Sequence, residues 1–130
     1  MKRKISLLSR ARAFLNPIEW EEPFGMVMIE AMALGCPVIS FARGAAPEIV
    51  VHRKTGFLVH NVAEMVRFIP RIDEIDRNVT RMHVERNFSA RAMTEKYMKI
   101  YKNVIKLAKG STASDFTNLH VNKTLEPLSK

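Results

Sequence analysis

The hydrophobic pattern divides the chain into short apolar runs separated by amphipathic stretches. Residues 2 to 13 place Ile5, Leu8, Ala11 and Leu15 on one face and Lys4, Arg10 and Arg12 on the other, which predicts an amphipathic helix. Ala13 to Asn16 reads as a short strand stopped by Pro17. Phe24 to Leu34 is apolar on nearly every side and predicts a buried helix that ends at Gly35. Pro37 to Phe41 is a second strand, continuous enough in apolar residues for a buried parallel sheet. Pro47 to Val51 reads as one helical turn opened by proline, Lys54 to Gly56 as a turn, and Phe57 to Val59 as a third strand. Asn61, with Glu64 three residues later, is a capping pair that opens a helix up to about Ile69.

A further helix is expected from Asp76 to Asn87, and Ser89 caps a long one from Ala90 to Ala108. On this last helix Met93, Tyr97, Ile100, Tyr101, Val104 and Leu107 share a face opposite Lys96, Lys99, Lys102 and Lys106. The lysine row reads first as a solvated face, with an anionic surface as the alternative. Residues 109 to 130 lack periodicity and are expected to be a flexible tail, leaving one domain over residues 1 to 108. Strands alternating with helices predict an α/β chain with a parallel sheet of about three strands and helices on both faces. An open parallel sheet this small has apolar edges, which predicts missing neighbours.

Composition narrows the classes. The 130 residues suffice for a modest core, and 47% hydrophobic content argues against disorder. The formal charge of +8 admits nucleic acid, an anionic membrane surface or a phosphorylated ligand. No short aromatic-and-basic motif is present, so nucleic acid is not the expected partner. Cys36 is the only cysteine, which excludes an intramolecular disulfide and suits a cytoplasmic protein; between Gly35 and Pro37 it reads as a small buried residue rather than a nucleophile. The basic start is followed by Ser6, Ser9, Arg10 and Arg12, which fits neither a signal peptide nor a membrane span. His52, His60, His83 and His120 have no metal-ligand spacing, and no metal or cofactor is expected.

One residue breaks the apolar pattern. Glu30 stands within Phe24–Leu34, where a carboxylate must be paired, protonated or directed at a ligand. Eight positions earlier Glu22 precedes Pro23, placing the two acids roughly 12 Å apart along the helix axis with its positive end between them. That layout suits an elongated ligand with hydroxyl groups at each end and an anionic centre, as in a nucleotide sugar. The alternative is an ion pair between Glu30 and an Arg or Lys of a neighbouring segment.

The string from Trp20 to Ile39, with Glu22-Pro23-Phe24-Gly25 and Glu30-Ala31-Met32-Ala33 inside it, resembles the donor-binding signature of family 4 of retaining glycosyltransferases, which have the GT-B fold. Lys4 to Pro17, Gly44 to Val50, Thr55 to Val59 and Phe88 to Tyr101 look like the same family in the same order. The resemblance implies a partial Rossmann-like sheet, the second half of a GT-B C-terminal domain. It further implies that Glu22 binds and aligns the donor sugar, as the catalytic and donor-binding acid. The amides of Phe24, Gly25, Met26 and Val27 would meet the sugar and diphosphate, with glycine at 25 allowing close approach, and Glu30 would accept from the ribose hydroxyls. The family's acceptor domain and diphosphate clamp have no counterpart here; Arg43, Arg53 and Lys54 lie on loops outside the motif. The chain also has no Asp-x-Asp metal motif.

Three classes therefore stand as expectations. The first is the donor-binding part of a glycosyltransferase, incomplete and inactive alone. The second is a non-catalytic assembly module that pairs with itself or with a chain supplying the missing portions. The third, a basic nucleic-acid binder, requires salt-sensitive affinity independent of Glu22 and Glu30.

Overall fold

Every residue of the strand Val38–Phe41 is buried, because its side chains alternate between two separate apolar layers. This strand, β2, is the centre of a three-stranded parallel sheet in the computed structural model, which describes residues 2–110. β1 (Phe14–Asn16) pairs with it through Phe14–Val38, Leu15–Ile39 and Asn16–Ser40. β3 (Gly56–Val59) pairs on the other side, Val38 opposite Gly56 and Phe41 opposite Val59. A Cβ on Gly56 would lie 2.0 Å from the Val38 carbonyl oxygen, so only glycine permits this approach of the two strands.

Helices cover both faces. On one, α2 (Met26–Ala33), α3 (Ala46–Ile49) and α5 (Arg77–Phe88) bring Met28, Met32, Ile49 and Val84 onto Val38, and Leu8 of α1 (Lys2–Arg10) packs at the edge. On the other, α4 (Val62–Phe68) and a 3-10 helix (Ile69–Glu74) bring Met65, Phe68 and Ile72 onto Ile39, Phe41 and Phe57. The Phe57 and Phe68 rings stack at 4.6 Å between centroids. The fold is a small α/β fold of partial Rossmann-like type, as expected.

Local chemistry accounts for the element ends. Gly35, at φ +71°, ends α2 with its amide bonded to the Met32 carbonyl while the Cys36 amide reaches that of Ala31, a Schellman closure. The Asn61 side chain accepts from the Glu64 amide, and Glu64 in turn accepts from the His60 amide, one residue before the expected partner. Asp76 caps α5. Arg77 donates to the Ala11 and Ser9 carbonyls and so closes the end of α1.

Several expectations need correction. Ile5 and Leu15 are exposed rather than inward, because α1 stops at Arg10 and β1 is an edge strand. The 3-10 helix after α4 was not anticipated: Pro70 removes an amide from the α-helical ladder, and the tighter turn brings Ile72 and Ile75 into the core.

Contacts divide the chain into Met1–Ala92 and Met93–Lys130. In the second unit the described structure is the continuation of α6 (Ala90–Gly110). The expected tail lies outside the described residues from 111 onward, as does His120. Among the described residues no helix is long and apolar enough to cross a membrane.

Candidate donor site at the start of helix α2

The segment that carries the two acids begins where β1 ends. In an open parallel sheet this end is where ligands bind, and buried polar side chains mark it. Asn16 Nδ2 donates to Ser40 Oγ at 3.0 Å and approaches Met28 Sδ at 3.4 Å, while Ser40 Oγ lies 3.1 Å from the Phe41 carbonyl oxygen. This latch ties β1, β2 and α2 together at the sheet's C-terminal end. Its only sequence signal was a polar residue closing an apolar run before Pro17.

Beyond the latch, the loop to α2 is held by the loop after β2. The Ala45 amide donates to the Glu22 carbonyl at 2.8 Å, the Gly44 amide to the Glu21 carboxylate at 2.6 Å, and Arg43 to the Glu19 carbonyl at 2.9 Å. Gly44 has φ +51°, and a Cβ there would fall 2.4 Å from the Glu22 carbonyl oxygen. The backbone of Glu22 is thus fixed by contacts that exclude a side chain at 44. Its carboxylate accepts from the Gly25 amide at 3.3 Å through Oε1 and from Trp20 Nε1 at 3.2 Å through Oε2.

Gly25 caps α2 in the left-handed region, φ +69°. It is buried against Met28 and Ile49, and it is the left-handed φ that favours glycine here. Phe24 stands outside the helix, which starts at Met26. Of the four amides expected to be free, that of Gly25 is engaged by Glu22. Those of Phe24, Met26 and Val27 have no hydrogen-bond partner among the described residues.

Nor is α2 buried all round. Met28, Ile29, Ala31 and Met32 are buried, whereas Met26, Val27 and Ala33 are exposed and Glu30 is half-buried. At about 100° per residue these four uncovered positions form one continuous stripe with Glu30 in its middle. The apolar composition that predicted full burial serves the sheet and α5 on one side and leaves this stripe open.

Glu30 is paired. Lys4 Nζ of α1 lies 2.9 Å from one carboxylate oxygen and 2.8 Å from the other, with 54% and 36% of the two side chains exposed. The ion-pair alternative left open by the sequence is therefore realised, and its partner is Lys4. Two remaining oxygen lone pairs are left for other donors, since a carboxylate offers about four acceptor sites. Glu30 also lines a cavity of about 390 Å³ between α2 and α5, together with Ile29, Arg81, Val84 and Glu85. Glu22 does not line it; it precedes the helix and stands outside the stripe.

The loop cations are distributed unevenly. Arg43 follows β2 and so lies at the same end as the α2 start, whereas Arg53 and Lys54 precede β3 and lie at the other end of the parallel sheet. Arg53 sits near Glu74, whose carboxyl is held below its usual range chiefly by its hydrogen bond to Arg71. Cys36 is buried, and desolvation pushes its thiol upward against the opposing influence of Arg77. No group of three His, Cys, Asp or Glu side chains able to hold a metal occurs among the described residues. His83 Nε2 instead bonds the Ile49 carbonyl.

The family described as Glycosyl transferases group 1 matches residues 1–75, which includes α1, the α2 segment and the whole sheet. The chain belongs to this glycosyltransferase family. Among its relatives is the alpha-1,3/1,6-mannosyltransferase ALG2 of Homo sapiens, 36% identical over 113 residues, covering 82% of this chain and 26% of the relative. N-acetyl-alpha-D-glucosaminyl L-malate synthase of Bacillus anthracis is 32% identical over 94 residues, 66% of this chain and 25% of its own. Spore coat protein SA of Bacillus subtilis is 27% identical over 105 residues, 74% and 28% respectively. The chain thus spans about a quarter of the length of the curated relatives it matches. A group 1 glycosyltransferase relationship and a partial Rossmann-like sheet of the GT-B kind agree with each other.

Proposed function

We propose that this chain is the donor-binding portion of a retaining, family 4 glycosyltransferase, the second half of a GT-B C-terminal domain. It binds a nucleotide sugar for transfer of a hexosyl-type group, in a cytoplasmic setting, and is incomplete and inactive alone. The observation that carries this reading is the open stripe of α2. It runs from the unpaired amides of Phe24, Met26 and Val27 to the carboxylate of Glu30. Unpaired amides at a helix start favour a diphosphate. Glu30 keeps acceptor capacity for a ribose diol beside Lys4. Glu22, with one donor on each oxygen, keeps the same capacity for sugar hydroxyls and is the residue that aligns the donor.

Arg43 is the cation on the site's end of the sheet, and its donation to the Glu19 carbonyl uses it to hold the loop. Charge developing on a leaving nucleotide therefore needs cations from elsewhere for its stabilisation. Titration of the purified chain with a panel of nucleotide diphosphates and nucleotide sugars, alone and with a candidate partner chain, tests the reading. Saturable binding that selects a nucleotide diphosphate supports it, and absence of binding in both conditions overturns it.

The second reading, a non-catalytic assembly module, is favoured by β1. This strand is an edge of the sheet, with Leu15 exposed on it and Trp20 and Phe24 exposed beyond it. A partner or second copy bound with no effect of nucleotide, and no nucleotide affinity in the assembly, distinguishes that outcome.

A further inference from the structure

The loop before α2 is tied to the loop after β2 at three of its residues. The Glu19 carbonyl accepts from Arg43, the Glu21 carboxylate from the Gly44 amide, and the Glu22 carbonyl from the Ala45 amide. Trp20 stands between these ties and holds Glu22 twice. Its carbonyl accepts from the Glu22 amide at 3.0 Å, and its indole Nε1–H donates to Glu22 Oε2 at 3.2 Å. With the Gly25 amide on Oε1, each oxygen of the half-buried Glu22 carboxylate has a fixed donor. We propose that Trp20 is a positioning residue for the donor sugar. Its indole N–H sets the orientation of the Glu22 carboxylate, so that the acceptor positions left on Glu22 are directed at sugar hydroxyls. This inference rests on the donor-site reading above and adds to it the residue that orients the sugar-binding acid.

Three properties of the contact suit positioning rather than packing or charge compensation. Trp20 is 66% exposed and lies outside both apolar cores, so the sheet does not depend on its ring. An indole is a neutral group that donates and does not accept. It therefore holds one oxygen without cancelling the charge that draws in hydroxyl donors, and it offers those hydroxyls no competing acceptor. Among the described residues Glu22 takes part in no ion pair, whereas Glu30 is held by the Lys4 ammonium. The tight turn from the Trp20 carbonyl to the Glu22 amide also sets donor and acid two residues apart on one fixed piece of backbone. An unrestrained glutamate loses rotamer freedom when it binds a sugar, and a carboxylate held beforehand has less to lose.

Trp20 is the only tryptophan, so the full chain has a single indole N–H resonance in heteronuclear NMR spectra. Without ligand, Glu22→Ala should move that resonance upfield and speed its exchange with water, whereas Glu19→Ala should leave both unchanged. Equal responses to the two substitutions overturn the contact. The positioning role is read by titrating the full chain, alone and with a candidate partner chain, with UDP-glucose, GDP-mannose, UDP and GDP. Trp20→Phe keeps an aromatic ring and removes the N–H donor. It should weaken binding of the nucleotide sugar about tenfold, the order of one hydrogen bond to a charged group, and change binding of the matching nucleotide diphosphate by less than about twofold. An unchanged urea midpoint is the folding control, since the position is exposed. Equal loss for sugar and diphosphate, or no loss for either, overturns the inference and leaves the donor site standing. So does a Trp20→Phe chain that keeps its sugar affinity but no longer binds a partner chain, which would make Trp20 a partner contact. A wild-type chain that binds none of the four probes in either condition overturns the donor-site reading and this inference with it.

Discussion

Glu30 takes part in two competing accounts, and one substitution separates them. As a ribose acceptor it makes charge-assisted hydrogen bonds, so Glu30→Gln should weaken nucleotide binding by about 1 to 3 kcal/mol, read by calorimetric titration of the assembled enzyme. Folding should survive, because the Lys4 pair is partly exposed on both sides and such pairs contribute about 0 to 1 kcal/mol. Unchanged nucleotide affinity, with equal small stability losses in Glu30→Gln and Lys4→Met, would leave only the ion pair. Cys36 allows a pH prediction of known sign. Burial raises its thiol in the folded state, so above the ordinary thiol range the unfolded chain ionises first and binds fewer protons. Stability should therefore be unaffected by Cys36 at neutral pH and fall as pH rises through that range, and Cys36→Ala should flatten the fall in urea titrations. Alkylation of the folded chain should be slow and should speed up in denaturant.

At the scale of the element, α2 depends on its entrance. Gly25 holds a left-handed φ, and the same conformation in alanine costs about 1 to 2 kcal/mol. The Met28 methyl that a Cβ would meet at 2.3 Å is the end of a flexible chain and can move, so the backbone sets the cost. Gly25→Ala should lower the urea midpoint by the equivalent of that range with no change of slope, and a neutral result would show that φ relaxes. The helix's apolar residues predicted its existence and its stop at Gly35. They did not reveal the open stripe, because Met26, Val27 and Ala33 are of the same chemical type as the buried Met28 and Ala31. Which apolar positions are covered depends on where α5 and the sheet lie, and local periodicity carries no record of that. The same limit applied to α1, where helical spacing assigned Ile5 inward and Lys4 outward, while packing left Ile5 exposed and brought Lys4 to Glu30.

For the molecule as a whole, the sheet has β1 at one edge and β3 at the other. The β1 edge continues into exposed apolar residues at Leu15, Trp20 and Phe24. This 130-residue chain by itself is expected to self-associate and to show no measurable sugar transfer. Among the described residues Arg43 is held on the Glu19 carbonyl and Lys4 on Glu30, so the proposed function expects the cations and acceptor contacts that position and stabilise a reacting donor to come from elsewhere. Light scattering together with a radiolabelled transfer assay checks both parts. A monomer that turns over a nucleotide sugar unaided would sink the reading of an incomplete enzyme.

Apart from the 3-10 helix at Ile69–Glu74, the order and type of the elements were determined by the sequence alone, because apolar periodicity, the capping residues Asn61 and Ser89, and the helix-ending Gly35 act over a few residues. The string from Glu22 to Glu30 likewise identified the candidate site without coordinates. Only the tertiary structure decided the contacts between distant positions. These include Lys4 with Glu30 across 26 residues, Asn16 with Ser40 across 24, and the Gly44 backbone against Glu22. Each depends on strand register and helix placement, which follow from packing the two cores together; a polar side chain's partner is therefore set by the neighbour that packing delivers rather than by its own surroundings in the chain.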